Sequence, residues 1–227
     1  IAKEGLSGRL IPAKGRRTNI GLNMVGENGD HVVFSIGNAN QALESALIIP
    51  ELEEVLPRAA FLYMGTLFKL DGLSRNFLDI ISLARNNGTK VVIDHGRITP
   101  GVPTERFAEV RAAVLAADYY LPSRVEFLET WGTDTISDGL KLVRSKAPSL
   151  VTVVKDGANG AHYLDGDNTR TIPALQITSA DNVTGAGDTF NAGFIASLLA
   201  DPDLSAAVRN GCEAAAWHIG HGTPAMK

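Results

Sequence analysis

Near-continuous apolar runs alternate along the chain with segments whose apolar residues recur at helical spacing. The apolar runs cover residues 60–65, 90–94, 118–122 and 150–155. Runs of this kind are typical of strands buried on both faces, as in a parallel sheet. The segments between them predict helices over residues 73–84, 107–115 and 136–143. This alternation predicts right-handed crossovers and a parallel sheet covered by helices.

Two further regions flank the predicted sheet. Residues 18–25 and 31–36 are short apolar runs separated by the turn-forming sequence Gly-Glu-Asn-Gly-Asp, which predicts a β-hairpin. After residue 155 the pattern predicts two short strands and then two closing helices, at about 160–164, 169–173, 185–199 and 204–219. In sheets of this kind, ligands bind beyond the carboxyl ends of the parallel strands.

The composition is that of an ordinary globular protein. The chain has 227 residues, is 44% hydrophobic and 20% charged, and carries a formal net charge of -4, which excludes disordered and collagen-like classes. Acidic and basic residues are interspersed, so no basic face is predicted for nucleic acid or anionic membrane. The single cysteine, Cys212, fits a reducing compartment, and the cytoplasm is the expected location. No apolar run approaches the roughly 20 residues that a membrane span needs.

The sequence Gly-Ala-Gly-Asp at residues 185–188 holds the most informative candidate chemistry. Its glycines permit a tight turn that leads into a predicted helix. The N–H groups of Gly185, Ala186, Gly187 and Asp188 would point outward there and, with the helix dipole, stabilise an anion such as a phosphoryl group. Asp188 would stand beside that anion, where its carboxylate can accept a proton from an attacking hydroxyl. The alternative is that Asp188 caps the helix and the glycines only form the turn.

Residues 182–194 closely resemble the second signature of the ribokinase/PfkB family of carbohydrate kinases, D-T-T-G-A-G-D-A-F followed by x-A-G-F. Residues 153–161 resemble the strand and glycine turn that lie along the nucleotide in that family. Residues 118–126 resemble its A-D-x-x-x-P-N-x-x-E segment, which helps organise magnesium and phosphate. The resemblance extends over most of residues 15–224. It implies an α/β, ribokinase-like three-layer sandwich with a mostly parallel central sheet, helices on both faces and a small β lid.

The resemblance also implies roles for individual residues. Asp188 matches the catalytic base that contacts the substrate hydroxyl, and residues 185–187 match the anion hole. The residues that match the nucleotide side are Lys155, Gly157, Gly160, Thr184 and Cys212. Glu126 matches the glutamate that acts on Mg²⁺ through water, in keeping with the hydration that this cation retains. For Cys212, the alternative is a small buried residue on the inner face of the last helix.

Three positions depart from the family pattern. Ser123 stands where the family has asparagine, which shortens the polar side chain in the magnesium motif. Asn182 stands where the family has the aspartate that helps bind a monovalent cation, so a role for K⁺ stays open. Val183 replaces a threonine and keeps only its β-branched shape. None of the three departures affects Asp188 itself.

The family's first strand and its G-G-x-x-x-N sugar-binding signature have no counterpart in this sequence. We therefore expect residues 1–227 to form a single ribokinase-like kinase domain that lacks its N-terminal portion. The hairpin at residues 18–36 would be the lid that closes over the sugar and excludes water. Asn38 follows the hairpin and is a candidate contact to a sugar hydroxyl, although asparagine in a turn usually bonds its own backbone.

A polar segment, Asp94-His95-Gly96-Arg97, follows the second strand of the predicted sheet at its carboxyl end. Functional groups gather at this edge of α/β sheets. The segment loosely resembles the D-P-N-x-R stretch of some sugar kinases. Arg97 is the candidate contact to a phosphate or a sugar acid, and a solvated loop is the alternative.

Together these features predict an enzyme that transfers the γ-phosphoryl group of ATP, with Mg²⁺, to a hydroxyl of a sugar or sugar-like small molecule. A nucleoside kinase of the same fold and a non-catalytic member that binds sugar or nucleotide remain alternatives. A dinucleotide-binding oxidoreductase is disfavoured because no G-x-G-x-x-G follows an early strand. The expected partners are small molecules, without nucleic acid or membrane, and the resemblance alone suggests a homodimer.

Overall fold

The computed structural model describes residues 8, 14–25, 31–36, 39–98, 101–177 and 183–221. The strands are β1 (Ile20–Val25), β2 (His31–Ile36), β3 (Phe61–Gly65), β4 (Lys90–Asp94), β5 (Tyr119–Tyr120), β6 (Val151–Lys155), β7 (Ala161–Asp165) and β8 (Asn168–Ile172). The α-helices are α1 (Ser45–Val55), α2 (Phe77–Asn86), α3 (Thr104–Ala116), α4 (Arg124–Trp131), α5 (Ile136–Lys146), α6 (Ala186–Ala200) and α7 (Leu204–His221). None of these described helices combines the length and the apolar character that crossing a membrane requires.

The central sheet contains six strands in the order β3-β4-β5-β6-β7-β8. β3, β4, β5 and β6 pair in parallel, whereas β7 and β8 continue the same sheet in antiparallel pairs. Antiparallel neighbours need only tight turns, and β7 joins β8 through the two residues 166 and 167. The predicted mostly parallel sheet is confirmed, and the two short strands after residue 155 extend it.

Alternate side chains of the parallel strands enter two different cores. Val91 and Ile93 of β4 pack in a core that includes residues of α2, α3, α4 and α5. Val92, between them, packs in a second core with Phe190 and Phe194 of α6 and with residues of α7. Because successive strand residues point to opposite faces, this division places helices on both sides of the sheet. The predicted three-layer sandwich is confirmed.

Two helices were not predicted, and two predicted helices begin at other residues, among them α3, which begins at Thr104 and not at residue 107. α1 was not predicted because Pro50 lies inside it and removes one backbone donor. α4 was not predicted because its eight residues make only two turns, too few for a periodic pattern. The helix predicted to begin at residue 73 begins at Phe77, after a 3₁₀ segment over Asp71–Asn76.

The first two strands form a separate antiparallel hairpin. Its register runs from Ile20 opposite Ile36 to Val25 opposite His31, and the turn between the strands lies outside the described residues. Large apolar side chains on the hairpin are exposed: Ile20, Leu22, Met24 and Phe34. The antiparallel pairing agrees with the sequence pattern, while the function of the hairpin as a lid stays a prediction.

Candidate active site

Polar side chains from three elements meet at the carboxyl edge of the sheet. Tyr63, Asp94 and Lys155 lie near the ends of β3, β4 and β6, on the face that packs against α6. Strand alternation explains the shared face, because Val92 and Val153, two residues before Asp94 and Lys155, belong to the core beneath α6. The parallel strands therefore deliver these groups to the N-terminal half of α6.

The glycine turn at residues 185–187 leads into α6, as the sequence predicts. Gly185 precedes the helix with φ +87°, a left-handed conformation that favours glycine. The N–H of Ala186 donates to the carbonyl of Val183 at 3.1 Å, and Thr189 makes the first bond back to Gly185, at 2.9 Å. The N–H groups of Gly187 and Asp188 lie in the first helical turn, so they have no hydrogen-bond acceptors within the helix. Of the four N–H groups predicted to point outward, that of Ala186 is thus bonded within the turn, and the anion hole itself stays a prediction.

His218 of α7 holds the glycine turn in place by a hydrogen bond. Its Nε2 donates to the carbonyl of Thr184 at 2.8 Å, and the His218 side chain is buried. A Cβ at Gly185 would lie 3.2 Å from the same nitrogen, so a larger residue would displace the ring. The turn thus requires glycine at residue 185 for both its conformation and its packing.

Asp188 is the third residue of α6, and it is exposed. Its charge is felt at Tyr63, whose pKa is raised to about 12 by burial first and by the charge of Asp94 next. The hydrogen bond from Asn191 lowers the pKa of Tyr63, whereas the charges of Asp188 and Glu126 raise it by smaller amounts. The predicted base therefore belongs to the same electrostatic environment as the carboxyl edge and stays open to a ligand.

An ion pair between Lys155 and Asp94 is at the centre of the site. The Lys155 Nζ lies 2.6 Å from Asp94 Oδ2 and 3.1 Å from Asn191 Oδ1. The Asn191 Nδ2 in turn donates to Asp94 Oδ2 at 2.7 Å and to the Tyr63 hydroxyl at 3.2 Å. Burial pushes the pKa of Asp94 up, but the charge of Lys155 and the hydrogen bonds from Lys155 and Asn191 outweigh it and leave that pKa lowered.

Glu126 occupies the start of α4, close to β6. Its Oε2 accepts a hydrogen bond from the N–H of Ser123 at 2.9 Å, and Ser123 pairs with Lys155 as an extension of the parallel ladder. Ser123, at the position where the family has asparagine, is therefore the N-cap of α4. The described residues contain no group of three metal-ligating side chains. The contact of Glu126 with Mg²⁺ through water stays a prediction.

The two glycines predicted to lie along the nucleotide have different surroundings. Gly157, φ +55°, begins the 3₁₀ turn Gly157–Asn159 and has open space where a Cβ would project. Gly160, φ +88°, packs against the loop after β8: a Cβ there would overlap the carbonyl of Ile172 and lie 2.7 Å from the amide nitrogen of Ala174. Gly157 is thus free to face a ligand, whereas Gly160 is required by the fold itself.

Cys212 is buried beneath α6. It packs in the same core as Phe190 and Phe194, and burial, with a smaller contribution from Glu213, raises its thiol pKa to about 11. These surroundings are those of a small buried residue on the inner face of α7, the alternative that the sequence left open. A contact between Cys212 and a nucleotide stays a prediction.

Three candidate residues remain: Asn38, Asn182 and Arg97. Asn38 and Asn182 lie outside the described residues. Arg97 is exposed after β4. Sequence reasoning did not assign Asn191 or Tyr63 to the site. Their signals were present, since Tyr63 alternates with buried Met64 near a strand end and Asn191 is a polar residue between the apolar positions of α6.

The lowered pKa of Asp94 predicts a specific loss of stability in acid. The unfolded carboxyl, with a pKa near the ordinary 3.8, takes up its proton at a higher pH than the folded one, so the stabilisation is present above this value and is lost as the pH falls through the lower folded pKa. We expect the free energy of unfolding in urea to fall between neutral pH and about pH 3, with a smaller fall in Asp94→Asn. Equal falls in both proteins would show that Asp94 is not responsible.

A glycine turn that leads into a helix at the carboxyl edge of a parallel sheet is a feature typical of phosphate- and nucleotide-binding sites. The family model of the pfkB family carbohydrate kinases matches residues 1–225. The chain belongs to this family.

Curated relatives include both sugar and nucleoside kinases. A ribokinase of Bacillus subtilis is 34% identical over 103 residues, which are 45% of this chain and 33% of the relative. A cytidine kinase of Thermococcus kodakarensis is 29% identical over 135 residues, 59% of this chain and 48% of the relative. A ribokinase of Haemophilus influenzae is 24% identical over 225 residues, 96% of this chain and 69% of the relative. In the first two, the chain spans less than half of the relative's length.

Solved structures share the fold over nearly the whole chain. Ribokinase from Giardia lamblia superposes with a TM-score of 0.79 at 21% identity, over 98% of this chain and 72% of that one. Adenosine kinase from Sinorhizobium meliloti superposes with a TM-score of 0.79 at 18% identity, over 98% of this chain and 67% of that one. The ribokinase-like fold expected from the sequence is confirmed.

Proposed function

We propose that this protein catalyses ATP-dependent phosphorylation of a hydroxyl on a sugar or sugar-like small molecule. The observation that carries the proposal is the position of Asp188, an exposed carboxylate in the first turn of α6 beside the N–H groups of Gly187 and Asp188. A base and an anion-binding turn are thereby held within one helical turn. Family membership and the ribokinase relatives support the same chemistry.

The proposed step moves one proton and one phosphoryl group. The Asp188 carboxylate accepts the proton of the acceptor hydroxyl while that oxygen forms a bond to the γ-phosphorus of ATP. The bond between this phosphorus and the oxygen bridging to the β-phosphate breaks, and ADP leaves with the electron pair. The N–H groups of Gly187 and Asp188, with the helix dipole, stabilise negative charge on the transferred group. Positioning and electrostatics supply most of the rate.

The nucleotide side would be formed by the turn after β6 and by the turn before α6. Gly157 would face the nucleotide, since there is open space where a Cβ would project from it. Thr184, which is exposed before α6, would face the nucleotide from the other turn. Mg²⁺ would neutralise phosphate charge, with Glu126 as its contact through water. A monovalent cation such as K⁺ would have Asn182 as its contact, at the position where the family has aspartate.

The hairpin β1–β2 would act as the lid over the acceptor. Leu22 and Phe34 face each other across its strands, and both are exposed, as are Ile20 and Met24. An apolar lid that closes over the acceptor excludes water, which would otherwise compete with the acceptor hydroxyl. The chain would form a single kinase domain in which the hairpin is the lid.

A nucleoside kinase is the second candidate. The cytidine kinase relative and the adenosine kinase structures favour it, because they show that this family and fold also carry kinases of nucleosides. The same base and anion turn would serve a nucleoside hydroxyl. The acceptor, and not the chemistry, separates the two candidates.

The test is ADP release from Mg-ATP across a panel of sugars, sugar acids and nucleosides. We expect release with one class of compound above the rate without acceptor. Turnover of a sugar supports the main proposal, and turnover of a nucleoside alone supports the second candidate. ATP binding without turnover of any compound would instead indicate a non-catalytic binding protein.

A further inference from the structure

We propose that Lys155 contacts the transferred phosphoryl group and that Asp94 and Asn191 are positioning residues that hold its ammonium beside Gly187. This inference rests on the proposed function and adds to the base and the anion turn a third component, built from side chains of β4, β6 and α6.

The hydrogen-bond geometry of the ammonium supports this assignment. Within the described part of the chain, Lys155 Nζ donates to Asp94 Oδ2 at 2.6 Å and to Asn191 Oδ1 at 3.1 Å. An ammonium has three donors, so one remains for a ligand. The Asn191 amide cannot rotate freely because its Nδ2 is engaged by Asp94 and by the Tyr63 hydroxyl. The two acceptors thus fix the ammonium without using all of its capacity.

Of the two charges in the ion pair, the ammonium is the one that lies next to the glycine turn. A Cβ built at Gly187 would be 3.5 Å from Lys155 Nζ, and no oxygen of Asp94 comes within 4 Å of that point. The positive end of the ion pair therefore faces the first turn of α6. Both side chains of the pair are largely buried, with exposed fractions of 12% for Lys155 and 11% for Asp94. Solvent consequently screens this charge less than it would at a surface.

A purely structural role would give the same contacts, so the test must separate the two. Lys155→Met removes the charge but leaves Asp94 buried and unpaired, which destabilises the fold in either case. The double variant Asp94→Asn with Lys155→Met removes both charges and restores a neutral site. Lys90→Met is the matched control, because Lys90 pairs with Asp118 at 3.0 Å, near the opposite end of the same sheet.

The first readout is binding, which does not require an acceptor. Calorimetry with Mg-ATP and Mg-ADP gives the preference for ATP over ADP, as the ratio of the two dissociation constants. We expect this preference to be about tenfold smaller in Lys155→Met and in the double variant than in the wild type, because one charge-assisted hydrogen bond to phosphate is absent. The preference is expected to be unchanged in Lys90→Met. An unchanged preference in the double variant would overturn the inference.

The second readout is turnover of the acceptor found in the panel. We expect the double variant to regain the melting temperature of the wild type while its kcat stays about 100-fold lower, with little change in KM for the acceptor. Recovery of kcat together with stability would show that Lys155 only neutralises Asp94. Absence of ATP binding by the wild type would contradict the proposed function itself, which is a different result from either outcome for Lys155.

Discussion

Replacement of Asp188 by asparagine is expected to lower kcat by about 10³-fold or more while ATP still binds. Asparagine keeps the size of the side chain and its polar oxygen, but it cannot accept the proton of the attacking hydroxyl. Because Asp188 is exposed at the third position of α6, the loss of its charge should change the free energy of unfolding little. Steady-state kinetics and calorimetric ATP binding on the same preparation measure both effects.

Asp134→Asn is the control for this substitution. Asp134 is exposed in the loop before α5, and the same loss of charge there is expected to leave kcat unchanged. Asp188→Asn with the kcat of the wild type would remove Asp188 from its role as base. A loss of ATP binding equal to the loss of kcat would show instead that Asp188 serves only to bind.

The largest expected effect on stability is that of Gly160→Ala. A Cβ at this position would overlap the carbonyl of Ile172, and the backbone angle of φ +88° is one that residues with a Cβ rarely adopt. The obstacle is backbone and cannot rotate away, so the turn after β6 and the loop after β8 must separate. We expect a loss of about 3 kcal/mol or more in the free energy of unfolding, measured in urea.

Gly166→Ala is the matched substitution for this prediction. Gly166 also has a positive φ, +58°, but nothing lies within 4 Å of the position of its Cβ. Only the backbone penalty should remain, about 1 kcal/mol. Equal losses in the two variants would show that the close approach to Ile172 has no energetic weight.

The strands and the last two helices could be predicted from the sequence because their signals are local. Buried parallel strands are continuous apolar runs, and β4 and β6 coincide closely with such runs at 90–94 and 150–155. α1 and α4 could not be predicted, since a proline in the first and the short length of the second erase the helical period. The antiparallel addition of β7 and β8 to the sheet depends on pairing, which a hydrophobic pattern does not encode.

The turn before α6 was predictable because glycines and an acidic residue stand together in the sequence. The cluster of Lys155 with Asp94 and Asn191 was not, because its members are 61 and 36 residues from Lys155 along the chain. Lys155 was assigned to the nucleotide from the resemblance, and only the folded chain shows which side chains hold it. Long-range pairing of this kind is decided by the order of the strands and by the packing of α6.

Phosphorus NMR of a reaction with Mg-ATP and the best acceptor of the panel tests the central claim most directly, because it follows the transferred group itself. The proposed function predicts a new phosphate monoester resonance that grows in step with ADP and is absent in Asp188→Asn. ADP accompanied by inorganic phosphate, or by no new phosphorus compound, would contradict phosphoryl transfer to a hydroxyl.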